Sequence, residues 1–526
     1  MNDAGAGDLQ RKLTSIVGSA RLVTDREERA CLSQDAFWDD AVAALVIRPE
    51  NRQQLAAALA AISAAGYAVI PRGGGMSYTR GYVPERERSV LVDCRDLNRI
   101  VEINEEDMYI TAEAGCTWMQ IYTALKARRL RTPYFGPMSG MFATVGGALS
   151  QNSMFYGSAT WGTVAESVLG IEVALADGRL IRTGSGGNRS GQPFFRHYGP
   201  DLTGLFLSDT GALGVKVEAT IRLIREPACT GYASFAFDNF HDMVDAQTEI
   251  GRARLAAECF GLDPYLNSQR TIVKDLKSGL TALGGVIKAQ GSLARGLKEA
   301  ASIAAAGASG FADGVRYSLH LTVDAAHDAD AVWRLREIER IASATRGREM
   351  EPVIPKMVRA TPFKHVGEFL VGHAGERWVP IHACLPASRV KPVFEATMAY
   401  FAGKAGVLER FNIRTSHLTG SSGTDMIFEP AFYYPDALKA FHLRNLEAAD
   451  AERYRRLPAV AGASEAVAGM LADLARIFME HGAVHQQLGR FYPYRESLQP
   501  NTWALLEGIK NVVDPGRLMN PGSLGL

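Results

Sequence analysis

The sequence predicts an α+β protein with more than one domain. Its 526 residues exceed the length at which a single hydrophobic core usually stops growing. Helix and strand patterns also alternate along the first part of the chain. Leu55, Leu59 and Ile62 recur at helical spacing before Gly66, a residue type that often ends helices, and residues 108–115 alternate like a strand.

Composition and charge narrow the classes of function. The 57 basic and 57 acidic side chains cancel, so the chain lacks the positive excess that nucleic-acid binding requires. The six cysteines form no C-x-x-C pair, which is typical of reduced thiols in a cytoplasmic protein. No signal-peptide core and no stretch of roughly 20 apolar residues is present. We therefore expect a cytoplasmic protein with no nucleic-acid partner and no transmembrane segment.

Three glycine clusters give the clearest functional signal. They lie at residues 72–77, 143–148 and 210–215, each beside a predicted strand. Consecutive glycines expose backbone N–H groups and permit positive φ angles, so such a loop can wrap an anionic oxygen. The first cluster does not match G-x-G-x-x-G, nor does Gly-Lys-Ser/Thr follow it, which excludes a Rossmann or Walker loop. Together the clusters favour a long cofactor that lies across several loops.

The order of the motifs resembles the FAD-linked oxidases of the p-cresol methylhydroxylase and vanillyl-alcohol oxidase superfamily. PRGGGMSYTRGYVP (71–84) resembles their pyrophosphate loop, in the form closest to the D-lactate dehydrogenase and glycolate oxidase branch. GPMSGMFATVGGALSQNS (136–153) is similar to the second flavin loop. Residues 160–184 and 201–223 resemble the stretches that complete the FAD domain, and IKNVVDPGRLMNPGSLGL (509–526) resembles the terminal tail.

The resemblance implies a division of the chain. A lead-in (1–40) precedes an FAD-binding domain of the p-cresol methylhydroxylase type (41–226), which has two α+β subdomains. A substrate or cap domain with an antiparallel sheet and helices follows (227–494), and the last segment (495–526) returns to the FAD-binding domain. Within the cap domain, the Ala- and Gly-rich residues 286–313 predict an exposed helical insertion or a flexible segment.

The resemblance also implies FAD as the hydride acceptor, with the protein supplying orientation and electrostatics. The cofactor-binding residues that it implies are Arg72, Gly73, Gly74, Gly75, Met76, Ser77, Gly81, Pro137, Thr144, Gly146, Gly147, Asn152, Trp161, Gly162, Gly214, Val215 and Asn520. Some relatives attach FAD covalently through a histidine of the pyrophosphate loop. Residues 71–84 contain no histidine, so noncovalent FAD is expected, while attachment through a distal His or Tyr stays open.

The substrate side is predicted from residue chemistry. Oxidation of a CH–OH group needs a base near the hydroxyl, and recognition of a carboxylate favours an arginine. The segment HGAVHQQLGRFYPY (481–494) supplies His485, Arg490 and Tyr492 just before the tail. Further catalytic candidates lie in three separate segments and are His382, His417, and Glu429 with Tyr433. The metal motif of the D-lactate branch is not intact, so no metal ligands are predicted.

The predicted function is that of an FAD-dependent oxidase or dehydrogenase that oxidises the CH–OH of a small substrate. A 2-hydroxy acid such as D-lactate or glycolate is favoured because the flavin loops match that branch best. A para-hydroxybenzyl alcohol or an alkylphenol is the alternative, favoured by the missing metal motif and the Tyr/Arg-rich end. The chain could instead be the flavin subunit of a larger electron-transfer complex, or use FAD without net redox change, as in the related ether-lipid synthases. The acceptor is oxygen or an electron carrier, and the family allows a homodimer.

Overall fold

The computed structural model describes residues 3–270, 314–363, 370–372 and 374–526. The predicted insertion at 286–313 lies outside these residues. The longer helices run Asp3–Val17, Arg52–Ala64, Trp118–Lys126, Phe240–Arg252, Asp328–Ala344, Val353–Ala360, Ala387–Gly403, Ala463–Glu480 and Pro500–Val513. Shorter helices run Arg26–Leu32, Val145–Gln151, Ser158–Trp161, Leu202–Leu205, Pro264–Arg270, Ala405–Arg410, Ala440–Asn445, Ala448–Tyr454 and Tyr494–Ser497.

A small sheet opens the fold, in the order β1-β2-β4-β3. Its strands are β1 (Leu22–Val23), β2 (Leu45–Ile47), β3 (Ala68–Arg72) and β4 (Ser89–Asp93), with β2, β4 and β3 mutually parallel. The helix Arg52–Ala64 crosses between β2 and β3, as its apolar spacing predicts. The Asn51 side chain caps this helix by accepting from the Gln54 N–H.

A second, antiparallel sheet has the order β5-β6-β10-β8-β9. Its strands are β5 (Ile100–Asn104), β6 (Tyr109–Glu113), β8 (Val168–Ala174), β9 (Leu180–Arg182) and β10 (Val215–Arg222). The turn at Asp177-Gly178 joins β8 to β9 as a hairpin, as the sequence predicts. Between the first two sheets and the remainder of the fold, β7 (Leu130–Arg131) pairs with β11 (Ile224–Arg225).

The third sheet carries eight strands, and all of its pairings are antiparallel. It has the order β15-β12-β14-β13-β18-β19-β16, and β17 also pairs with β19. The strands are β12 (Cys229–Phe237), β13 (Glu258–Leu262), β14 (Tyr317–Ala325), β15 (Arg348–Met350), β16 (Arg377–Pro380), β17 (Ala383–Pro386), β18 (Arg414–Ser422) and β19 (Asp425–Tyr434). The predicted α+β class with an antiparallel cap sheet is therefore confirmed.

Both ends of the described chain pack into this architecture. Leu9, Leu13 and Val17 of the first helix are buried in the core of the first sheet, so residues 1–40 contribute more than a lead-in. At the other end, Met519 lies beside Val69 of β3 in a parallel bridge. Hydrogen bonds flank this bridge, and the cofactor loops therefore have the tail as a neighbour. No helix of the described residues is long and apolar enough to span a bilayer.

Candidate active site

The three glycine clusters meet at one cavity of about 130 Å³. We call it the glycine-lined cavity. Although the clusters are far apart in the sequence, the loops after β3, before Val145–Gln151 and before β10 converge on it. The predicted cofactor-binding residues that line it are Arg72, Gly73, Gly74, Gly75, Met76, Ser77, Gly81, Pro137, Thr144, Gly146, Gly147, Gly214 and Val215.

Close packing between loops explains why glycine occupies these positions. A Cβ atom at Gly74 would overlap the carbonyl oxygen of Phe142, and one at Gly73 would overlap the Thr144 hydroxyl. Gly75 has φ +77°, a left-handed conformation that favours glycine. The first two loops thus touch backbone to backbone, and this contact forms the floor of the cavity.

The polar groups at this cavity fit an elongated, anionic cofactor. Arg72 is buried, and its Nε atom has no hydrogen-bond partner among the described residues. The Gln151 Oε1 atom, an acceptor, is also buried and without a partner among the described residues, so it would accept from an N–H or O–H group of the ligand. An unpaired buried guanidinium nitrogen is costly unless a ligand accepts from it, and a phosphate oxygen does so well. The donor set therefore suits a phosphate-bearing group such as FAD.

Four of the predicted cofactor-binding residues do not line this cavity. Asn152 ends the helix Val145–Gln151 with φ +50°, and Trp161 and Gly162 lie in and after the helix Ser158–Trp161. Asn520 is fully buried, and its Nδ2 atom donates to the carbonyls of Gly81 and Thr210 at 2.8 and 2.6 Å. It ties two of the loops together, and direct contact with the cofactor stays a prediction for all four.

A second cavity, of about 240 Å³, adjoins the first. We call it the cap cavity, because β13, β18 and β19 of the third sheet supply much of its wall. Most of its surface is apolar. The residues that line both cavities, and so form their junction, are Met76, Ser77, Pro137, Ser139, Ser153 and Gln487.

Glu429 is a carboxylate of the cap cavity that has no hydrogen-bond or ion-pair partner among the described residues. It lies on β19, and burial raises its pKa to about 7. The second carboxylate, Glu258, is paired with Arg359 at 2.5 Å and accepts from the Gly157 N–H at 2.9 Å. Among the described residues that line this cavity there is no lysine or arginine. The electrostatics of the cap cavity therefore favour an uncharged ligand with a proton to give.

Tyr78 and Gln487 form a hydrogen-bonding pair on the wall of the same cavity. The Gln487 Nε2 atom donates to the Tyr78 hydroxyl at 3.2 Å, which leaves the hydroxyl proton of Tyr78 available. Burial raises the pKa of Tyr78 well above its usual range, so the hydroxyl stays protonated. This pair can donate a hydrogen bond to a ligand oxygen.

Besides Glu429, His382 and Tyr433 are the residues of the predicted catalytic set that line the cap cavity. The His382 Nε2 atom lies 2.8 Å from the Gln486 carbonyl and must donate to it, while Nδ1 lies 3.3 Å from the Tyr492 hydroxyl. Burial, followed by the charge of His485, lowers the pKa of His382 to about 3. Because both ring nitrogens are engaged, His382 is a wall residue rather than a free base.

His485 and Tyr492 lie behind that wall. Their rings stack with centroids 3.9 Å apart, and the His485 Nδ1 atom lies 2.8 Å from the His382 carbonyl. The Tyr492 hydroxyl accepts from the His382 backbone N–H at 3.0 Å. Burial also lowers the pKa of His485 to about 4. This group orients His382 and does not itself line either cavity.

His417 faces away from the cap cavity because strand neighbours alternate. Ser416 and Leu418 line the cavity, and His417 between them packs against Phe240 and Phe428. Burial lowers the pKa of its ring to about 3, and the Nδ1 atom lies 3.4 Å from the Asp263 carboxylate on that side of the sheet.

Arg490 also lies away from both cavities. Its guanidinium group donates to the Pro521 carbonyl and to the Asn520 Oδ1 atom at 2.9 and 2.8 Å, and to the carbonyls of Arg80 and Val83. These contacts join the tail to the loop of residues 71–84, which contains the first glycine cluster. The expectation that Arg490 binds a substrate carboxylate is therefore corrected: its donors are already committed to protein oxygens.

Sequence reasoning missed Tyr78, Glu258 and Trp378, all of which line the cap cavity. Tyr78 follows directly on the first glycine cluster, where an aromatic residue beside a cofactor loop was a usable signal. No sequence signal marked Glu258 or Trp378, because their positions in the cavity wall depend on the register between strands of the third sheet.

Comparison with known proteins agrees with this geometry. An FAD-binding domain family matches residues 43–184, and the C-terminal domain of the FAD linked oxidases matches residues 476–524. The glycolate oxidase subunit GlcD of Bacillus subtilis is 27% identical over 47% of this chain and 51% of its own. The probable mitochondrial D-lactate dehydrogenase of Danio rerio is 30% identical over 35% of this chain and 36% of its own. The chain thus spans about half or less of the curated relatives it matches.

Solved structures share the fold over the whole chain. p-Cresol methylhydroxylase with substrate bound has a TM-score of 0.73 at 14% identity, covering 100% of this chain and 98% of its own. The 4-ethylphenol oxidase of Gulosibacter chungangensis has a TM-score of 0.69 at 16% identity with the same coverage. An alkyldihydroxyacetonephosphate synthase has a TM-score of 0.69 at 13% identity, covering 98% and 84%. Two parts of the chain therefore match family models of FAD-linked oxidases, and the fold of the chain is of the p-cresol methylhydroxylase type.

Proposed function

We propose that this protein is an FAD-dependent oxidoreductase that oxidises a small, uncharged and mostly apolar hydroxyl compound. The substrate is a para-hydroxybenzyl alcohol or an alkylphenol, which loses one hydroxyl proton and one hydride from its benzylic carbon. One observation carries the proposal. The cap cavity adjoins the glycine-lined cavity, and its described lining holds an unpaired carboxylate, Glu429, and no cationic side chain. A neutral hydroxyl compound meets a proton acceptor there, whereas a carboxylate meets no counter-charge among the described lining residues.

A 2-hydroxy acid is disfavoured by the same electrostatics. Its carboxylate would be desolvated beside Glu429 with no arginine or lysine of the described lining to pair it. The sequence prediction of a hydroxy acid rested on loops that now surround the glycine-lined cavity. Those loops carry information about the cofactor, whereas the substrate is selected by the cap cavity.

The residues of the glycine-lined cavity would hold FAD, with Arg72 and the first glycine cluster at its anionic part. When bound, FAD supplies the hydride acceptor. Glu429, in its ionised form, accepts the hydroxyl proton of the substrate, and Tyr78, oriented by Gln487, donates a hydrogen bond to an oxygen of the substrate. The apolar wall of the cap cavity excludes water from the reacting carbon.

We propose that FAD is held noncovalently. The first glycine loop has no histidine, His382 uses both ring nitrogens, and His417 faces away from the cap cavity. Acid precipitation of the purified yellow protein should therefore leave all of the flavin in the supernatant. Yellow colour that stays with the pellet points to Tyr433, the remaining distal candidate that lines the cavity.

An anaerobic spectral titration tests the function. The purified flavoprotein is titrated with 4-hydroxybenzyl alcohol, 4-ethylphenol, D-lactate and glycolate, each with and without a divalent-metal chelator. We expect the phenolic compounds to bleach the flavin band, with no effect of the chelator. Bleaching by the hydroxy acids alone would overturn the proposal. That result would restore the hydroxy acid candidate, which the names of the sequence relatives favour.

The final electron acceptor, the cellular compartment and the oligomeric state are tested by other measurements. Reoxidation of the reduced protein in air-saturated buffer distinguishes oxygen from a carrier, including one held in a larger complex. Cys31, Cys94, Cys116, Cys259 and Cys384 are free thiols, which supports a reducing compartment such as the cytoplasm. Size-exclusion chromatography with light scattering tests the expected homodimer.

A further inference from the structure

One residue in the wall of the cap cavity comes from a segment that precedes the cofactor loops. We call residues 33–40 the N-terminal strap. Ala36 of the strap lines the cavity and shares a buried apolar cluster with Leu370 and Phe441, which line it too. The family model of the FAD-binding domain begins at residue 43 and does not include the strap. The strap therefore lies outside the part of the chain that this family model describes.

The strap is tied to the first glycine loop. The Ala36 N–H donates to the Ser77 carbonyl at 3.2 Å. The neighbouring carboxylate of Asp35 accepts from the Arg80 N–H at 2.8 Å, and the Arg80 guanidinium lies 3.8 Å from the centre of the Trp38 ring. These contacts hold the backbone of Ala36 against the junction of the two cavities.

The strap is also tied to the cap domain. The carbonyl of Phe37 accepts from the Lys439 Nζ atom at 2.6 Å and from Arg377 at 3.4 Å. Lys439 forms a second contact with the strap, an ion pair with Asp39 at 2.8 Å. Because residues on both sides of Ala36 are held, the backbone at this point has little freedom to retreat.

We propose that Ala36 determines the size of substrate that the cap cavity admits. A side chain larger than methyl at a clamped position has to enter the cavity, where it competes with the ligand for space. The effect differs from general destabilisation because it grows with the size of the ligand. This inference rests on the proposed function, since it takes the cap cavity to be the substrate site.

The test compares how the affinity for phenols of increasing size changes with the size of the side chain at position 36. Dissociation constants for phenol, 4-methylphenol and 4-propylphenol are measured by tryptophan fluorescence, because Trp378 lines the cavity, and the rates of flavin reduction are measured alongside. We expect Ala36→Leu to weaken 4-propylphenol binding about tenfold or more and phenol binding less than about threefold, since each methylene counts in an apolar pocket. Ala36→Gly should shift the preference towards the larger ligands.

Ala41→Leu is the matched control. Ala41 is half-buried, follows the strap directly and lines neither cavity. The control should retain the wild-type order of affinities, with flavin content equal in all variants. Wild-type size discrimination that survives Ala36→Leu would overturn the inference alone. A wild-type protein that binds none of the three phenols would overturn the proposed function, and the inference with it.

Discussion

Glu429 has to be ionised in order to accept the hydroxyl proton of the substrate. Burial raises its pKa to about 7, so it is protonated and unable to accept a proton below that pH, and ionised above it. We expect the rate of flavin reduction to rise with pH through about 7. Glu429→Gln should lower that rate by roughly 10²–10⁴-fold and remove the acidic limb of the profile. Stopped-flow reduction across pH 5–9 is the measurement.

Asp425→Asn provides the control for Glu429. Asp425 lies at the exposed start of the same strand and lines neither cavity. Its substitution should leave both the rate and the pH profile unchanged. A Glu429→Gln protein that keeps a limb near pH 7 would assign the titrating base to another group.

Substitution of Gly74 tests the importance of the contact between the first two glycine loops. Gly74→Ala places a Cβ atom against the Phe142 carbonyl, so the loops have to separate. We expect the purified variant to lose most of its bound flavin, judged from the ratio of flavin to protein absorbance. Gly508→Ala is the control, since a Cβ there meets no atom within 4 Å. Full flavin content in Gly74→Ala would show that the floor of the cavity is not set by this contact.

The variant Arg490→Ala distinguishes a structural role of this residue from a role in substrate binding. Removal of its guanidinium leaves buried carbonyls of the loop and the tail without donors, at a cost of roughly 3 kcal/mol in the free energy of unfolding. We expect Arg490→Ala to lower the melting temperature and flavin retention. The KM of the flavin-loaded fraction should stay close to wild type. A large rise in KM with normal stability would return Arg490 to the substrate site, and Arg495→Ala, an exposed neighbour, controls for charge.

At this scale the sequence predicted the cofactor side better than the substrate side. Glycine clusters can be recognised in a sequence because their backbone chemistry depends on only a few neighbouring residues. His382, His417 and Arg490 are chemically suitable residues, yet the described contacts engage two of them with protein groups and turn His417 away. Whether a side chain is free to react depends on its neighbours in space, which no local pattern reveals.

Among the elements, the hairpin of β18 and β19 decides what the cap cavity offers. Leu418 lies opposite Glu429 in the pairing, and both face the cavity. His417 lies opposite Pro430 and takes the other face. Alternation made these strands predictable, but the choice of face follows from the register with β13 and from the helices that cover the back. A shift by one residue would exchange Glu429 for an apolar neighbour.

A buried charge cluster joins β7 to the third sheet. Arg131 of β7 and Arg359 both pair with Asp324 of β14, and Arg359 also pairs with Glu258. Removing one member of such a cluster leaves uncompensated buried charge. Arg359→Met should therefore cost about 3–5 kcal/mol in the free energy of unfolding, measured by urea denaturation.

Arg340→Met is the control for Arg359. Arg340 pairs with Glu337 on an exposed helix surface, where an ion pair contributes little. Its substitution should change the free energy of unfolding by less than about 0.5 kcal/mol. Equal costs for the two variants would mean that the cluster adds no more than a surface pair.

On the scale of the whole molecule, the two cavities draw on nearly every part of the chain. The strap, the glycine loops, the cap sheet and Gln487 of the segment before the tail all contribute to their walls. The class of fold followed from periodicity and from the motifs at residues 71–84 and 509–526. The contribution of the strap did not, because a short irregular segment has no period, and its place is fixed by contacts with residues hundreds of positions away.

The pairing of Met519 with Val69 has a consequence for biosynthesis. A ribosome adds roughly 5–20 residues per second, so tens of seconds pass between the emergence of β3 and that of its neighbour in the tail. Until then the loops of Gly81 and Thr210 lack Asn520, the side chain that ties them together. Because these two contacts form only after the tail has emerged, we expect flavin capture to follow completion of the tail.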